Sequence, residues 1–196
     1  RGLGEEGVDR GELEAREVAA VGGGISPLKV SNAYEAAEDF RYRRLVGTEA
    51  RSIGALPTCN LLVRRGILEQ VGGFDERFVC AASEDFDLCF RIKDVGHTIW
   101  FAPECAILHD HPQRLRPIIR RGFIQGREGA RLAFKRRGNV NHWRMAPFLH
   151  CLENAAVLSF WLFAHLPHVP SRVRWIIAAF DIAFAIGWLS FQNQER

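Results

Sequence analysis

The sequence lacks a C-x-x-C pair, although five cysteines occur among its 196 residues. An odd number of separated cysteines favours neither a zinc knuckle nor a complete disulfide framework, and small buried thiols in a reducing compartment are expected instead. No internal repeat and no signal-peptide pattern is present, and the chain begins with Arg1. We therefore expect a fragment or a processed product. A hydrophobic content of 47% excludes a disordered or low-complexity protein.

Charged side chains are scarce near the end of the chain and unevenly distributed before it. Residues 140–196 hold seven of the 49 Asp, Glu, Lys and Arg side chains. Residues 111–144 carry ten basic side chains and one acidic one, so this segment has a charge of +9 and the remainder −6. The ten basic residues, called the basic strip below, are Arg114, Arg116, Arg120, Arg121, Arg127, Arg131, Lys135, Arg136, Arg137 and Arg144.

Two interpretations of the basic strip remain open. It is either a solvated helix face or a surface attracted to anionic lipid, where each Lys or Arg contributes about 1 kcal/mol. Nucleic acid is not an expected partner, because neither interleaved aromatic residues nor a known binding motif accompanies the charge.

Hydrophobic periodicity predicts a mixed α/β chain. Strands are predicted at 18–25 and 58–65, and two short β segments at 97–102 and 105–109 are separated by Pro103. Helices are predicted at 32–51, 67–71, 83–95 and 116–137, and residues 1–17 are expected to form a surface helix or loop.

Two long apolar helices are predicted in the tail, at about 147–166 and 173–191. The second has nineteen residues with Asp181 as its only internal charge, close to the roughly 20 apolar residues that span a bilayer. Because charge is costly in lipid, Glu153 and Asp181 should face each other, another subunit or the headgroup layer. A shallow hairpin, one span and two spans remain open, and a helix pair in a soluble core is the alternative.

Polar residues that can carry chemistry are concentrated between residues 59 and 111. The carboxylates of Glu84, Asp85 and Asp87 at a helix start offer a general base or metal ligands. Glu84 and Asp87 lie one turn apart on one helix face, whereas Asp85 points elsewhere. His109 ends an apolar strand and is a candidate metal ligand. Each signal also fits a structural role, since acidic first turns are usual helix caps.

Taken together, the order and spacing of these residues resemble the C-terminal half of the catalytic domain of family 2 glycosyltransferases. These are inverting nucleotide-sugar enzymes with a GT-A fold, and the resemblance covers residues 18–137. The matching pieces are V-G-G at Val21–Gly23, the Asn-x-x-x-Arg-Arg element at Asn60–Arg65, G-G-F-D-E at 72–76, E-D-x-D-L-x-x-R at 84–91, a hairpin from Gly96 to Pro103, and His109. The resemblance implies an α/β fold, with a partial GT-A domain over 1–138 and a membrane-associated helical tail over 139–196.

The resemblance also implies roles for individual residues. Asp85 would be the general base, Glu84 would assist the acceptor or hold Arg91, and Asp87 with Arg91 would stabilise the helix. The expected cofactor is a divalent cation, Mg²⁺ or Mn²⁺, with His109 completing its site and His111 as a weaker candidate. The acceptor side would comprise Asn60, Asp75, Glu76 and Arg91. Gly72 and Gly73 are expected to form a tight turn, with Phe74 as a core aromatic residue.

Two departures from the family pattern qualify this prediction. The Asp-x-Asp metal motif that precedes V-G-G in the family is absent ahead of Val21, so we expect the donor-binding half to be missing and the chain alone not to transfer sugar. Gln113–Arg116 is followed by Pro117 instead of the Trp of Q-x-x-R-W, which favours a non-processive enzyme.

The sequence thus predicts a membrane-associated transferase whose catalytic part is cytoplasmic. Its partners would be a nucleotide-sugar donor and a lipid-linked or cell-surface glycan acceptor. The alternative is a non-catalytic, membrane-anchored remnant that binds a glycan or acceptor.

Overall fold

The computed structural model describes residues 18–78, 80–136 and 169–194, and these form a mixed α/β fold. The predicted fold class is confirmed. The elements are β1 (Val18–Pro27), α1 (Ala33–Val46), β2 (Arg51–Ser52), β3 (Leu61–Val63), α2 (Arg65–Gln70), α3 (Glu84–Asp94), β4 (Thr98–His109), α4 (Leu115–Lys135) and α5 (Ser171–Gln194). The predictions for residues 1–17, for the helix at 147–166 with Glu153, for Cys151 and for a domain boundary at 138 lie outside the described residues.

The described residues form two compact units that interleave along the chain. The first unit takes residues 18–24, 48–75 and 85–107, and contains β2, β3, α2 and most of α3. The second unit takes the described parts of 25–47, 76–84 and 108–196, and contains α1, α4 and α5.

The first unit is built on a four-stranded sheet with the order β2-β4-β1-β3. Strand β1 pairs antiparallel with β3, with Val21 opposite Leu62, and β2 pairs antiparallel with β4. Apolar side chains of β4 and α3 supply much of the core. The fully buried large side chains of this unit include Leu56, Leu88, Ile92, Ile99 and Phe101.

Strand β4 is continuous from Thr98 to His109, so the predicted hairpin and the break at Pro103 are wrong. The reason is local pairing. Ile99 accepts a hydrogen bond from Ile53 on the β2 side, and Phe101 pairs with Arg51, where β2 begins. Backbone N–H groups of alternate residues point to the same side of a strand, so the N–H that Pro103 lacks would also face β2. Since β2 begins at Arg51, opposite Phe101, it offers no partner at Pro103. Proline is therefore tolerated without loss of a ladder hydrogen bond.

Helix α1 begins at a complete capping box. The Asn32 side chain accepts hydrogen bonds from the backbone N–H groups of Tyr34 and Glu35, and the Glu35 carboxylate accepts one from the Asn32 backbone. The helix predicted at 32–51 ends earlier, at Val46, because Gly47 follows with a positive φ of 78°.

Helices α4 and α5 pack side by side in the same direction in the second unit. Gly122 lies against the backbone of Phe180, and one turn later Gly126 lies against the backbone of Phe184. Farther along both helices, the Phe134 and Phe191 rings are 6.3 Å apart. Small residues thus allow the two backbones to approach closely.

The residues of the basic strip do not form one continuous exposed surface. Arg121 forms an ion pair of 2.7 Å with the buried Glu38 of α1. Arg127 and Arg131 both lie 3.0 Å from the fully buried Glu128. Part of the strip therefore neutralises buried carboxylates, whereas four other members are exposed. The exposed members are Arg114, Arg116, Arg120 and Lys135.

Helix α5 is long and apolar, as predicted. Its segment Ser171–Phe191 is the one helix in the described ranges that has the length and composition to cross a membrane. Core helices of soluble proteins share those properties, and 44% of an 18-residue stretch of this segment is buried. Its exposed large apolar side chains, called the α5 stripe, are Trp175, Ile182, Ile186 and Leu189.

Candidate active site

The carboxylates of the E-D-x-D element occupy the first turn of α3. Glu84 is the first residue of the helix, Asp85 is half-buried, and Asp87 is fully buried. Ser83 immediately before them has a φ of +71°, although it is not glycine. Backbone strain of this kind persists only where the surrounding structure enforces it, and it is concentrated at functional sites.

Arg91 joins the E-D-x-D helix to the G-G-F-D-E turn. Its Nε donates to Asp87 Oδ2 over 2.8 Å, and its Nη1 donates to the carbonyl oxygen of Val71. The predicted association of Asp87 with Arg91 is therefore present. Because Val71 directly precedes the two glycines, this single guanidinium fixes the turn against α3.

The G-G-F-D-E turn is tight, as predicted, with positive φ angles of 78° at Gly72 and 67° at Gly73. The prediction of a core aromatic residue is wrong, because Phe74 is 49% exposed. Two successive left-handed residues reverse the chain, and Phe74 lines a cavity instead of entering the core. Asp75 follows in a half-buried position.

Asn60 connects the two central strands of the first unit. It ends a 3₁₀ turn over Thr58–Asn60, and its Nδ2 donates to the carbonyl oxygens of Gly24 and Cys105, each over 2.9 Å. The close approach of β1 and β4 at this point requires Gly23, because a Cβ there would overlap the Cys105 carbonyl oxygen. Sequence reasoning assigned Asn60 to the acceptor and missed this structural role, although V-G-G and Asn60 were both singled out.

The negative charge of Asp85 affects two nearby thiols. Cys59 is exposed as a residue, but partial burial of its thiol, and secondarily the Asp85 carboxylate, raises its pKa. Burial raises the pKa of Cys89 to about 11, with Asp85 again contributing. Both thiols are therefore protonated at neutral pH, which disfavours roles as nucleophiles or metal ligands. Asp85 lies close to the 3₁₀ turn that carries Cys59.

The expectation of small buried thiols holds only in part. All four cysteines in the described part of the chain are free. Cys89 is buried and Cys80 is intermediate, whereas Cys59 and Cys105 are exposed.

The second unit contains the other predicted site residues. Glu76 is exposed, and Glu84 has a buried Oε2 without a hydrogen-bond partner among the described residues. His109 likewise has a buried, unpartnered Nδ1, and its ring centroid lies 5.2 Å from that of His111. Burial, and secondarily His109, lowers the pKa of His111, which favours a neutral imidazole.

The donors in the described residues do not make a complete metal site. His109 offers an unpartnered ring nitrogen, which suits a ligand. However, the ranges that the structure describes contain no group of three His, Cys, Asp or Glu side chains that could hold an ion. A complete site would need further ligands.

The predicted residues therefore divide between the units. The first unit contains Asn60, Asp75, Asp85 and Arg91. Asp85 and Arg91 share helix α3, and Arg91 links this helix to the turn that follows Val71. The second contains Glu76, Glu84 and His109.

Comparison with known proteins identifies several related sequences. Over 123 residues the chain is 28% identical to the pre-mycofactocin glycosyltransferase of Mycobacterium tuberculosis, covering 63% of this chain and 26% of that protein. Over 70 residues it is 41% identical to the N-acetylglucosaminyl-diphospho-decaprenol L-rhamnosyltransferase of the same species, covering 36% and 22% respectively. A probable glycosyltransferase of Bacillus subtilis is 33% identical over 61 residues, which cover 31% of this chain and 14% of that protein.

The chain thus spans about a quarter or less of the length of the curated relatives it matches. No solved structure gives a significant match. The family described as Glycosyl transferase family group 2 matches residues 6–191, which is nearly the whole sequence. Together with the E-D-x-D helix and the G-G-F-D-E turn that Arg91 holds against it, this match establishes that the chain belongs to the family 2 glycosyltransferases.

Proposed function

We propose that this chain forms the acceptor-side part of an enzyme that transfers a sugar from a nucleotide-sugar to an acceptor hydroxyl with inversion. The observation that carries the proposal is the position of Asp85. Asp85 is half-buried at the start of α3, and Arg91 fixes the next acidic residue of this helix, Asp87. The charge of Asp85 also helps to raise the pKa of Cys59 in the 3₁₀ turn. A carboxylate held in this way suits proton acceptance from a bound hydroxyl.

In the proposed reaction, Asp85 accepts the proton of the acceptor hydroxyl as the hydroxyl oxygen attacks the anomeric carbon of the donor. A new carbon–oxygen bond forms on one face of the sugar. The bond to the nucleoside diphosphate breaks on the opposite face, and its electron pair leaves with the phosphate. Glu84 assists the acceptor, Asn60, Asp75 and Glu76 contribute to the acceptor side, and Arg91 positions the turn beside it.

Family 2 glycosyltransferases generally depend on a divalent cation. We propose His109 as one ligand for Mg²⁺ or Mn²⁺, which when bound would neutralise charge on the diphosphate. Because the described residues lack a complete ligand set, no step above is assigned to the metal.

The donor-binding half is proposed to belong to another part of a longer polypeptide or to a separate chain. The greater length of the relatives supports this. The break in Q-x-x-R-W at Pro117 supports non-processive transfer.

A lipid-linked or cell-surface glycan is the proposed acceptor, and the membrane is the proposed location. One relative is named for a diphospho-decaprenol compound. The α5 stripe offers apolar side chains to lipid, and exposed arginines of the basic strip favour an anionic surface. The catalytic part would face the cytoplasm.

The assignment of Asp85 is tested in the full-length polypeptide by Asp85→Asn. We expect turnover to fall by about 10²–10⁴-fold with nearly unchanged donor binding, because proton acceptance is lost and the shape is kept. Asp94→Asn, an exposed change in the last turn of the same helix, is the matched control and should retain activity. Unchanged turnover in Asp85→Asn would refute its role as the base.

The competing proposal is a membrane-anchored remnant that binds glycan without transferring it. It would keep the acceptor side, including the turn that Arg91 holds against α3, without carrying out transfer. An in-frame upstream segment encoding Asp-x-Asp would support the enzyme, whereas an authentic start codon at this point would support the remnant.

A further inference from the structure

The first unit contains an apolar cavity of about 250 Å³ that the proposed mechanism does not use. Five of its six lining side chains are hydrocarbon, and the sixth carries one hydroxyl. The lining residues are Thr58, Leu61, Val63, Leu68, Phe74 and Leu88.

Local geometry explains why these side chains meet around a space. Leu61 and Val63 alternate with Leu62 along β3, so the first two face the cavity and Leu62, at 76% exposure, faces away. The left-handed Gly72–Gly73 pair brings Phe74 to the rim, and Arg91 fixes that turn through the Val71 carbonyl. The cavity is therefore held by the same contacts that hold the proposed active site.

The cavity lies beside Asp85. Leu88, which lines it, is one helical turn after Asp85 on α3. Thr58, which also lines it, directly precedes Cys59, and the charge of Asp85 acts on the Cys59 thiol. A molecule that presents a hydroxyl to Asp85 can therefore extend its neighbouring group into the cavity.

The lining restricts the chemistry of that group. A sugar ring would leave several hydroxyls facing hydrocarbon without hydrogen-bond partners, which is unfavourable. The volume is also below the roughly 300–1,000 Å³ of sites that enclose a whole small ligand, so only part of an acceptor fits. An aromatic ring packed on the half-exposed Phe74 satisfies both restrictions.

We propose that this cavity is an acceptor subsite for a compact apolar group, an aromatic ring in particular, carried next to the hydroxyl that receives the sugar. This inference rests on the proposed function, since it identifies the class of acceptor used at Asp85. Among glycan acceptors, those that carry an aryl group next to the receiving hydroxyl are therefore preferred.

Binding to the full-length polypeptide tests the subsite with phenyl β-D-glucoside and methyl β-D-glucoside as the probes. Ligand-observed NMR should give about tenfold tighter binding of the phenyl compound, because the ring is transferred from water to the cavity. Phe74→Ala should remove most of this difference, and Phe74→Tyr should restore it. Leu62→Ala, one residue from the lining but facing solvent, is the matched control and should retain the preference.

Equal binding of both probes, or an undiminished preference in Phe74→Ala, would overturn the subsite. Loss of the preference in Leu62→Ala would also overturn it, because the effect would not be specific to the cavity. Circular dichroism of each variant establishes that it is folded.

Transfer assays separate this inference from the proposed function. Sugar transfer that is equally fast to both probes and unaffected by Phe74→Ala would overturn the subsite and leave the transferase intact. A phenyl preference that depends on Phe74, without transfer by a donor-binding polypeptide, would support the cavity as a binding site and overturn the transferase.

Discussion

The packing of α4 against α5 predicts different effects of substitution at two glycines of α4, Gly126 and Gly129, because their surroundings differ. A Cβ added at Gly126 would overlap the carbonyl oxygen of Phe184, which belongs to the α5 backbone. A Cβ added at Gly129, less than one turn away, would meet only side-chain atoms of Phe184 and Trp188, at 3.6 Å or more. The same substitution, glycine to alanine, is therefore expected to have opposite effects.

The magnitude follows from two contributions. Alanine is favoured over glycine in a helix interior by about 1 kcal/mol, and this gain applies at both positions. At Gly129 the new methyl makes ordinary contacts, so Gly129→Ala should stabilise the protein by roughly 1 kcal/mol. At Gly126 a backbone atom cannot rotate away, and overpacking at the upper end of the usual range costs about 3 kcal/mol. Gly126→Ala should therefore be destabilising by about 2 kcal/mol.

Urea unfolding followed by circular dichroism, with both variants in the same detergent, measures the difference. We expect the two free energies of unfolding to differ by about 3 kcal/mol, with the wild type between them. If Gly126→Ala is as stable as Gly129→Ala, the close backbone approach of the two helices is refuted.

Three further perturbations test the site and its support. Arg91→Met leaves the fully buried Asp87 without its cation and should lower the free energy of unfolding by about 3–5 kcal/mol, measured by urea unfolding. Asn60→Ala removes two hydrogen bonds between strands and should cost about 1–3 kcal/mol in the same assay. The pKa of Glu35 lies below its ordinary value of 4.5, chiefly because the Ser31 hydroxyl donates a hydrogen bond to the Glu35 carboxylate. The ionised Glu35 therefore contributes stability above about pH 4.5, and this contribution is lost as the pH falls through the lowered pKa. Glu35→Gln should therefore reduce the acid dependence of the melting temperature.

Each of these tests has a control at an exposed position. Lys93→Met on the same helix should leave stability nearly unchanged, as should Gln70→Ala, which removes an exposed amide. Glu49→Gln should not reduce the acid dependence. Equal effects in a test variant and its control would contradict the corresponding contact.

Local patterns in the sequence predicted the helices of the described residues well, because a helix depends on neighbouring residues, whereas β2 was missed and β3 is shorter than predicted. The Ala-, Glu- and Arg-rich composition of residues 32–51 indicated α1, and the acidic first turn at Glu84 and Asp85 indicated α3. Pro103 misled the prediction, because its effect depends on whether β2 offers a partner, and that is decided about fifty residues away.

The errors at the site have the same origin. Spacing within one helix was enough to pair Asp87 with Arg91. The contact of Arg91 with Val71 and the two bonds of Asn60 join residues 20 to 45 positions apart, which no local pattern encodes. Phe74 was misassigned because hydrophobic character alone does not distinguish a core residue from the lining of a cavity.

The parallel arrangement of α4 and α5 restricts how the protein could meet the membrane proposed above as its location. Helix α4 has 21 residues and is about 32 Å long, so it accompanies α5 over most of its length. If α5 crossed the bilayer perpendicular to its plane, Phe184 and Phe191 would lie in the hydrocarbon layer. The charged residues of α4 that pack beside them, Arg127, Glu128 and Arg131, would then lie at the same depth, which is costly. Lying flat, the pair can keep those ions at the headgroup level while the α5 stripe enters the lipid. For the proposed membrane location, the packing of these two helices therefore favours a position in the interface of one leaflet over a transmembrane α5.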